Sequence, residues 1–105
     1  MAKHKIEWST DARIDLYDIL DFYVGRNGNA SYSKKLNAKI NKSTKLLSRN
    51  PLIGIPSDFD SVRVFITGDY QIIYEIFDQL ILIVMLWDCR RNPEDKKIGK
   101  RIKKA

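Results

Sequence analysis

Sulfur and imidazole are almost missing from this chain: 105 residues contain one cysteine, Cys89, and one histidine, His4. A single cysteine excludes an internal disulfide and fits a reducing cytosol better than secretion. One Cys and one His cannot supply the donor set of a zinc site, and no cofactor is implied. Glycine (5) and proline (3) are scarce too, which excludes a low-complexity linker and leaves a chain that folds. No apolar stretch of signal-peptide length stands in the opening "MAKHKIEWST", and the longest apolar run, Leu80 to Trp87, falls far short of the ~20 residues of a membrane helix. The expectation is a cytoplasmic protein that does not enter a membrane. Its length suits one domain, residues 1–105, with a modest core.

What the chain does have is positive charge, unevenly placed. The net charge of +6 lies entirely in Cys89 to Ala105, which carries 8 basic and 2 acidic residues, while Met1 to Asp88 balances 11 of each. A second asymmetry sits inside the balanced part. Asp11, Asp15, Asp18 and Asp21 make Thr10 to Tyr23 acidic, whereas Gly28 to Asn50 carries Lys34, Lys35, Lys39, Lys42, Lys45 and Arg49 with no acid. Nucleic acid, an acidic peptide or an acidic protein face are the natural partners of such surfaces, against the plainer reading of solvated lysines.

The pattern predicts an α+β domain. "KHKIEWS" reads as a strand feeding a helix capped by Ser9 or Thr10, whose apolar stripe of Ala12, Leu16, Ile19, Leu20 and Tyr23 ends near Val24 before "GRNGN". Tyr32, Leu36, Ile40, Ser43 and Leu47 form a second stripe, stopped at "RNP". The period then shortens, and three antiparallel strands follow as a meander over 61–66, 70–77 and 80–87. The last is apolar at nearly every position and belongs inside the sheet. "NPED" then starts a short basic helix that Lys96 to Lys104 complete, anchored by Ile98 and Ile102.

In this order the segments "ARIDLYDILDFY", "YSKKLNAKINKSTKLLSRNPLIG", "VRVFITGDYQIIYEI" and "ILIVMLWDCRRNP" resemble the RelE/ParE superfamily of type II toxin–antitoxin toxins. The resemblance implies a growth-inhibiting toxin neutralised by a cognate antitoxin, which lays an acidic, partly disordered segment over the basic surface. It implies one of two targets, the ribosome with its mRNA for RelE-like members or DNA gyrase for ParE-like members. A third possibility is a member without catalysis that only binds its antitoxin and regulates transcription. If the chain is an enzyme, it is a metal-independent endoribonuclease.

Cleaving RNA without metal requires a base for the 2′-hydroxyl, charge stabilisation at the phosphate and an acid for the leaving oxygen. By the resemblance, Arg90 matches the arginine after the last strand, with Arg91 beside it, and Arg63 falls where RelE-like toxins carry a lysine. Their hairpin arginine falls on Gln71, their second lysine near Phe65 and their late tyrosine near Lys96, so the set is thin. Glu75 is the base candidate. The exit "WDCRRNP" also departs from the histidine–glycine–arginine exit of ParE-like proteins, yet the missing acid–base groups favour a ParE-like action.

Each candidate has a plain alternative. Arg90 and Arg91 grip a phosphate or carboxylate, or pair with Asp88 or Glu94. Arg63 joins them, or pairs across strands with Glu75. Tyr70 and Tyr74 share one side of their strand, where they stack on a base or, more often, pack in a core. Lys96, Lys97, Lys100 and Arg101 supply the cationic surface for partner or nucleic acid.

Overall fold

A computed structural model describes residues 3–102 of the chain. Strand β1 (Lys5–Trp8) leads into α1 (Thr10–Asn27) through Ser9, whose hydroxyl accepts a hydrogen bond from the Ala12 amide at 3.1 Å. The helix runs three residues beyond the expected Val24. Gly25 stays helical, and it is Gly28, at φ 74°, that adopts the left-handed conformation and caps the Val24 carbonyl. Helix α2 (Ser31–Arg49) turns its buried Leu36, Ile40 and Leu47 toward the same core. Tyr32, placed in the buried stripe by its spacing, is exposed, and its neighbour Ser33 is buried instead, donating to the Leu20 carbonyl at 2.7 Å.

After a single turn of tight helix at Pro51–Ile53 comes a two-residue strand, β2 (Ile55–Pro56), too short to leave a pattern in the sequence. Strands β3 (Val62–Thr67), β4 (Tyr70–Ile76) and β5 (Leu80–Asp88) form the expected meander. The five strands lie in the order β1-β5-β4-β3-β2, with β1 parallel to β5 and the remaining pairs antiparallel. Thus β5 is flanked on both sides, as its unbroken apolar sequence predicts.

Both faces of β5 are covered. Ile81, Ile83 and Leu86 join Tyr70, Ile72 and Tyr74 beneath the helices, whereas Val84, Met85 and Trp87 join Val62 and Ile73 on the opposite face. A shift of register explains why Val84 and Met85, adjacent in sequence, share a face. Ile73 pairs with Met85 and Tyr74 with Ile83, so Val84 is an extra residue.

The tail closes that second face, but not as the continuous helix expected over 93–104. Two single turns of tight helix, Pro93–Asp95 and Ile98–Lys100, are separated by Lys96 and Lys97 in non-helical conformations. So short a segment, with only Ile98 and Ile102 to pack, cannot offset helix nucleation. The end of the expected helix, 103–104, lies outside the described residues. Among the described residues no helix is long and apolar enough to cross a membrane.

Candidate functional site at the exit of the last strand

Where β5 leaves the sheet, its end, the start of β4 and the last turns of α1 surround a cleft of about 340 Å³. Asp88 ends β5 opposite Tyr70, the first residue of β4. Its carboxylate accepts from Arg90 twice, from Nε to Oδ1 and from Nη2 to Oδ2, each at 2.9 Å, and again from the Arg90 amide at 2.9 Å. This is the bidentate pairing of a guanidinium with a carboxylate, closed within one turn of chain. The Arg90 side chain is still 54% exposed. Nη2 also donates to the Tyr23 hydroxyl at 2.8 Å and approaches that of Tyr70 at 3.4 Å. Ile19, Phe22 and Leu86 make the apolar wall, and Asp18 and Arg26 of α1 stand at the rim.

The electrostatics follow from these contacts. Arg90 holds the Asp88 carboxyl below the usual range, and Asp88, then Tyr23, keep the guanidinium firmly protonated. Hydrogen bonds from Tyr70 and then Arg90 bring the Tyr23 phenol below its ordinary value. Burial pushes Tyr70 well above it, and the bond to Tyr23 adds to the effect. Of the two phenols, Tyr23 is the more acidic, and its oxygen is the nearer acceptor for Arg90. Arg90 and Tyr23 together therefore present an anchored positive charge beside a polarised oxygen. Tyr23 was legible in the sequence only as the last residue of a buried helical stripe. Nothing in one dimension links it to an arginine 67 positions away.

Arg91 turns to the other side of the sheet, where its guanidinium lies 4.6 Å from the centre of the Trp87 ring. Beside Trp87, across the β4–β5 pair, is Gln71. Lys96 Nζ donates to Gln71 Oε1 at 2.8 Å. The two positions at which the resemblance expects an arginine and a tyrosine thus meet, but as an amide and an ammonium ion bound to each other.

The remaining candidates lie elsewhere. Arg63 pairs in register with Tyr74, not Glu75, and sits about 13 Å along the sheet from the Tyr70 end at the usual rise per residue. Its Nη1 donates to the carbonyls of Leu52 (3.2 Å) and Gly54 (2.7 Å), so it holds the segment before β2 and neither joins Arg90 nor pairs with Glu75. Glu75, expected on a half-exposed face, is fully buried opposite Val62 and Leu82. A side chain at 0% exposure has no path to a substrate hydroxyl.

Tyr74 is equally enclosed. Its hydroxyl donates to the Pro51 carbonyl at 2.6 Å and accepts from the Gly54 amide at 3.0 Å, and no ring face is left for a base. Tyr70 is 2% exposed, with its hydroxyl at the cleft.

Arg101 is drawn out of the cationic surface. Its Nη1 donates to Asp15 Oδ2 at 2.9 Å and to the Val84 carbonyl at 2.8 Å, and its Nη2 to Asp15 Oδ1 at 3.2 Å. Asp15 in turn accepts from the Leu86 amide at 3.1 Å. Because β1 pairs with Leu80 to Ile83, the outer edge of β5 beyond that point has no neighbouring strand among the described residues. Asp15 and Arg101 supply its missing partners. Lys97 and Lys100 remain exposed on the tail. No group of three or more metal-ligating side chains is assembled among the described residues.

Comparison with known proteins agrees with this fold. A solved structure of the chromosomal ParDE toxin–antitoxin system of P. aeruginosa superimposes with a TM-score of 0.69 at 23% identity, over 82% of this chain and 96% of that one. The toxin–antitoxin complex RelBE2 of Mycobacterium tuberculosis does so with a TM-score of 0.62 at 22% identity, over 83% and 99%. No sequence among curated proteins is significantly similar. Residues 6–93, from β1 to the start of the tail, match the family described as the ParE toxin of the type II toxin–antitoxin system parDE, and the chain belongs to that family of toxins.

Proposed function

We propose that this toxin arrests growth by a ParE-like action on DNA gyrase, and that a cognate antitoxin restrains it by covering the exit of β5. The observation that carries the reading is the Lys96–Gln71 hydrogen bond of 2.8 Å on the face of Trp87 and Arg91. Phosphodiester cleavage by RelE-like chemistry needs an acid and a base there. Lys96 and Arg91 contribute positive charge, Gln71 is not ionisable, and Glu75 is sealed in the interior. Removing one transition-state donor commonly lowers a rate by about 10²- to 10³-fold, so a site lacking several retains little activity. Grip on a protein surface has no such requirement. Arg26 and Arg90 stand at the apolar cleft, and Arg91, Lys97 and Lys100 are exposed on the exit and tail that follow, charges suited to carboxylates on either a target or an antitoxin. Gyrase and antitoxin are both met in the cytoplasm.

Two assays on the purified chain separate the targets. With gyrase and plasmid, loss of supercoiling or accumulation of cleaved DNA is expected, and Arg90→Ala combined with Arg91→Ala abolishes it. With translating ribosomes, mRNA ends should be unchanged. A codon-phased cut that needs ribosomes and vanishes in Arg91→Ala or Lys96→Ala would replace this reading with the RelE-like one.

A further inference from the structure

Helix α2 carries a feature that neither the cleft nor the sheet face uses. Lys34, Lys35, Lys39, Lys42, Lys45 and Arg49 are all exposed, and between Ser31 and Arg49 there is no acidic residue. At 3.6 residues per turn these six cations fall within an arc of about 140°, and Lys34 and Arg49 are about 22 Å apart along the axis. None of them takes part in an ion pair among the described residues. Leu36, Ile40, Ser43 and Leu47 bury the opposite side of the helix, so the cations are held in one register against solvent. Asp69, at the β3–β4 turn, is the one carboxylate lining the shallow hollow that Lys35 and Lys39 share with Gly68.

We infer that this face of α2 is a track for the phosphate backbone of a nucleic-acid duplex. Two properties set it apart from a protein-docking surface. Lysine is depleted from the cores of protein interfaces, where aromatic side chains are enriched. Within the arc of the cations there is no aromatic residue; Leu46 is the exposed large apolar side chain among them, and Tyr32, at the border beside Lys35 and Lys39, packs its ring against Tyr23 at 4.5 Å. Helix α1 is the contrast, with exposed Ile14, Tyr17 and Phe22 among aspartates. Single strands are bound through aromatic platforms on which bases stack, and the stripe has none. What remains is a straight, rigid row of point charges. A duplex carries one phosphate charge per about 1.7 Å of axis over both strands, so a row about 22 Å long lies beside more phosphates than its six cations can neutralise.

The test measures binding of the purified full chain to a labelled 20-base-pair duplex of arbitrary sequence across a salt series. Neutralising four or five phosphates gives a log–log slope of about −3.6 to −4.5, or about 150- to 500-fold weaker binding between 50 and 200 mM salt. Combined Lys34→Gln, Lys42→Gln and Lys45→Gln should make the slope shallower by about 2 to 3. The corresponding Lys→Arg triple variant, which keeps the charge, should bind like the wild type, and Arg13→Gln on acidic α1 should change the slope by less than about one. An unchanged slope in the folded Gln variant would overturn the assignment. So would equal affinity for a polyglutamate peptide of matching charge, which points to an acidic protein, or for a single strand of the same length.

Discussion

At the scale of single residues, the Asp88–Arg90–Tyr23–Tyr70 constellation is the most specific arrangement in the molecule. Its contribution to stability is pH-dependent with a definite sign. Asp88 has a folded pKa below its ordinary 3.8, so its pairing stabilises the fold above that value and the benefit fades as pH falls through the lower, folded one. Melting curves of wild type and Asp88→Asn should differ at neutral pH and converge in strong acid. Replacing both Arg90 and Arg91 with Ala should leave the fold intact, since both are exposed, while growth arrest on expression is lost. Full toxicity of the folded double variant would remove the exit from the mechanism.

Tyr74 plays a different part. Its hydroxyl joins the Pro51 carbonyl to the Gly54 amide, so Tyr74→Phe strands two polar groups and should cost about 1–3 kcal/mol in urea unfolding. Gly54→Ala should disturb the same joint, because an added Cβ would stand 2.9 Å from the Val64 carbonyl oxygen as well as against the Tyr74 hydroxyl.

Among the elements, the tail is the one whose role depends most on its attachments. It lays Ile98 and Ile102 on Val62, Ile73, Val84 and Trp87, then sends Arg101 around the open edge of β5 to Asp15. These two holds can be separated. Arg101→Ala leaves Asp15 still accepting from the Leu86 amide, and it should mainly raise hydrogen exchange in 98–102. Asp15→Ala removes the partner of both Leu86 and Arg101 and should destabilise the whole fold by about 1–3 kcal/mol, read from chemical denaturation. If both variants loosen only the tail, the Asp15 bond to the β5 edge contributes nothing to the sheet.

For the molecule as a whole, charge is divided between surfaces. The acidic, partly apolar α1 faces one way, the lysine stripe of α2 lies on its partner helix, and the exit and tail carry the net excess. An antitoxin captured through rim charges of the exit should associate faster at low ionic strength, with dissociation much less affected. Stopped-flow measurement with the cognate antitoxin should find an association rate about tenfold higher at 50 mM than at 500 mM salt. A flat salt dependence would assign the interface to apolar contacts.

Local pattern determined the two long helices, β1 and the three strands of the meander. Helical stripes, a cap at Ser9 or Thr10, the stop at Pro51 and the strand runs follow from interactions within a few residues, which spacing records directly, and the unbroken apolar run of β5 marks it as covered on both faces. The family resemblance was legible for the same reason, since it rests on the order of those elements. Only the tertiary structure decided which charges are free. Arg63, Arg90, Lys96 and Arg101 look alike in sequence. One holds backbone carbonyls, one is tied to Asp88 and Tyr23, one meets Gln71 and one closes the edge of β5. Glu75 likewise reads as a surface residue until the face opposite the helices is seen to be covered by the tail. A guanidinium or ammonium group spans several ångströms and pairs with whatever the fold brings within reach. Its partner is set by contacts between segments up to 86 positions apart, and no periodicity in the chain encodes those.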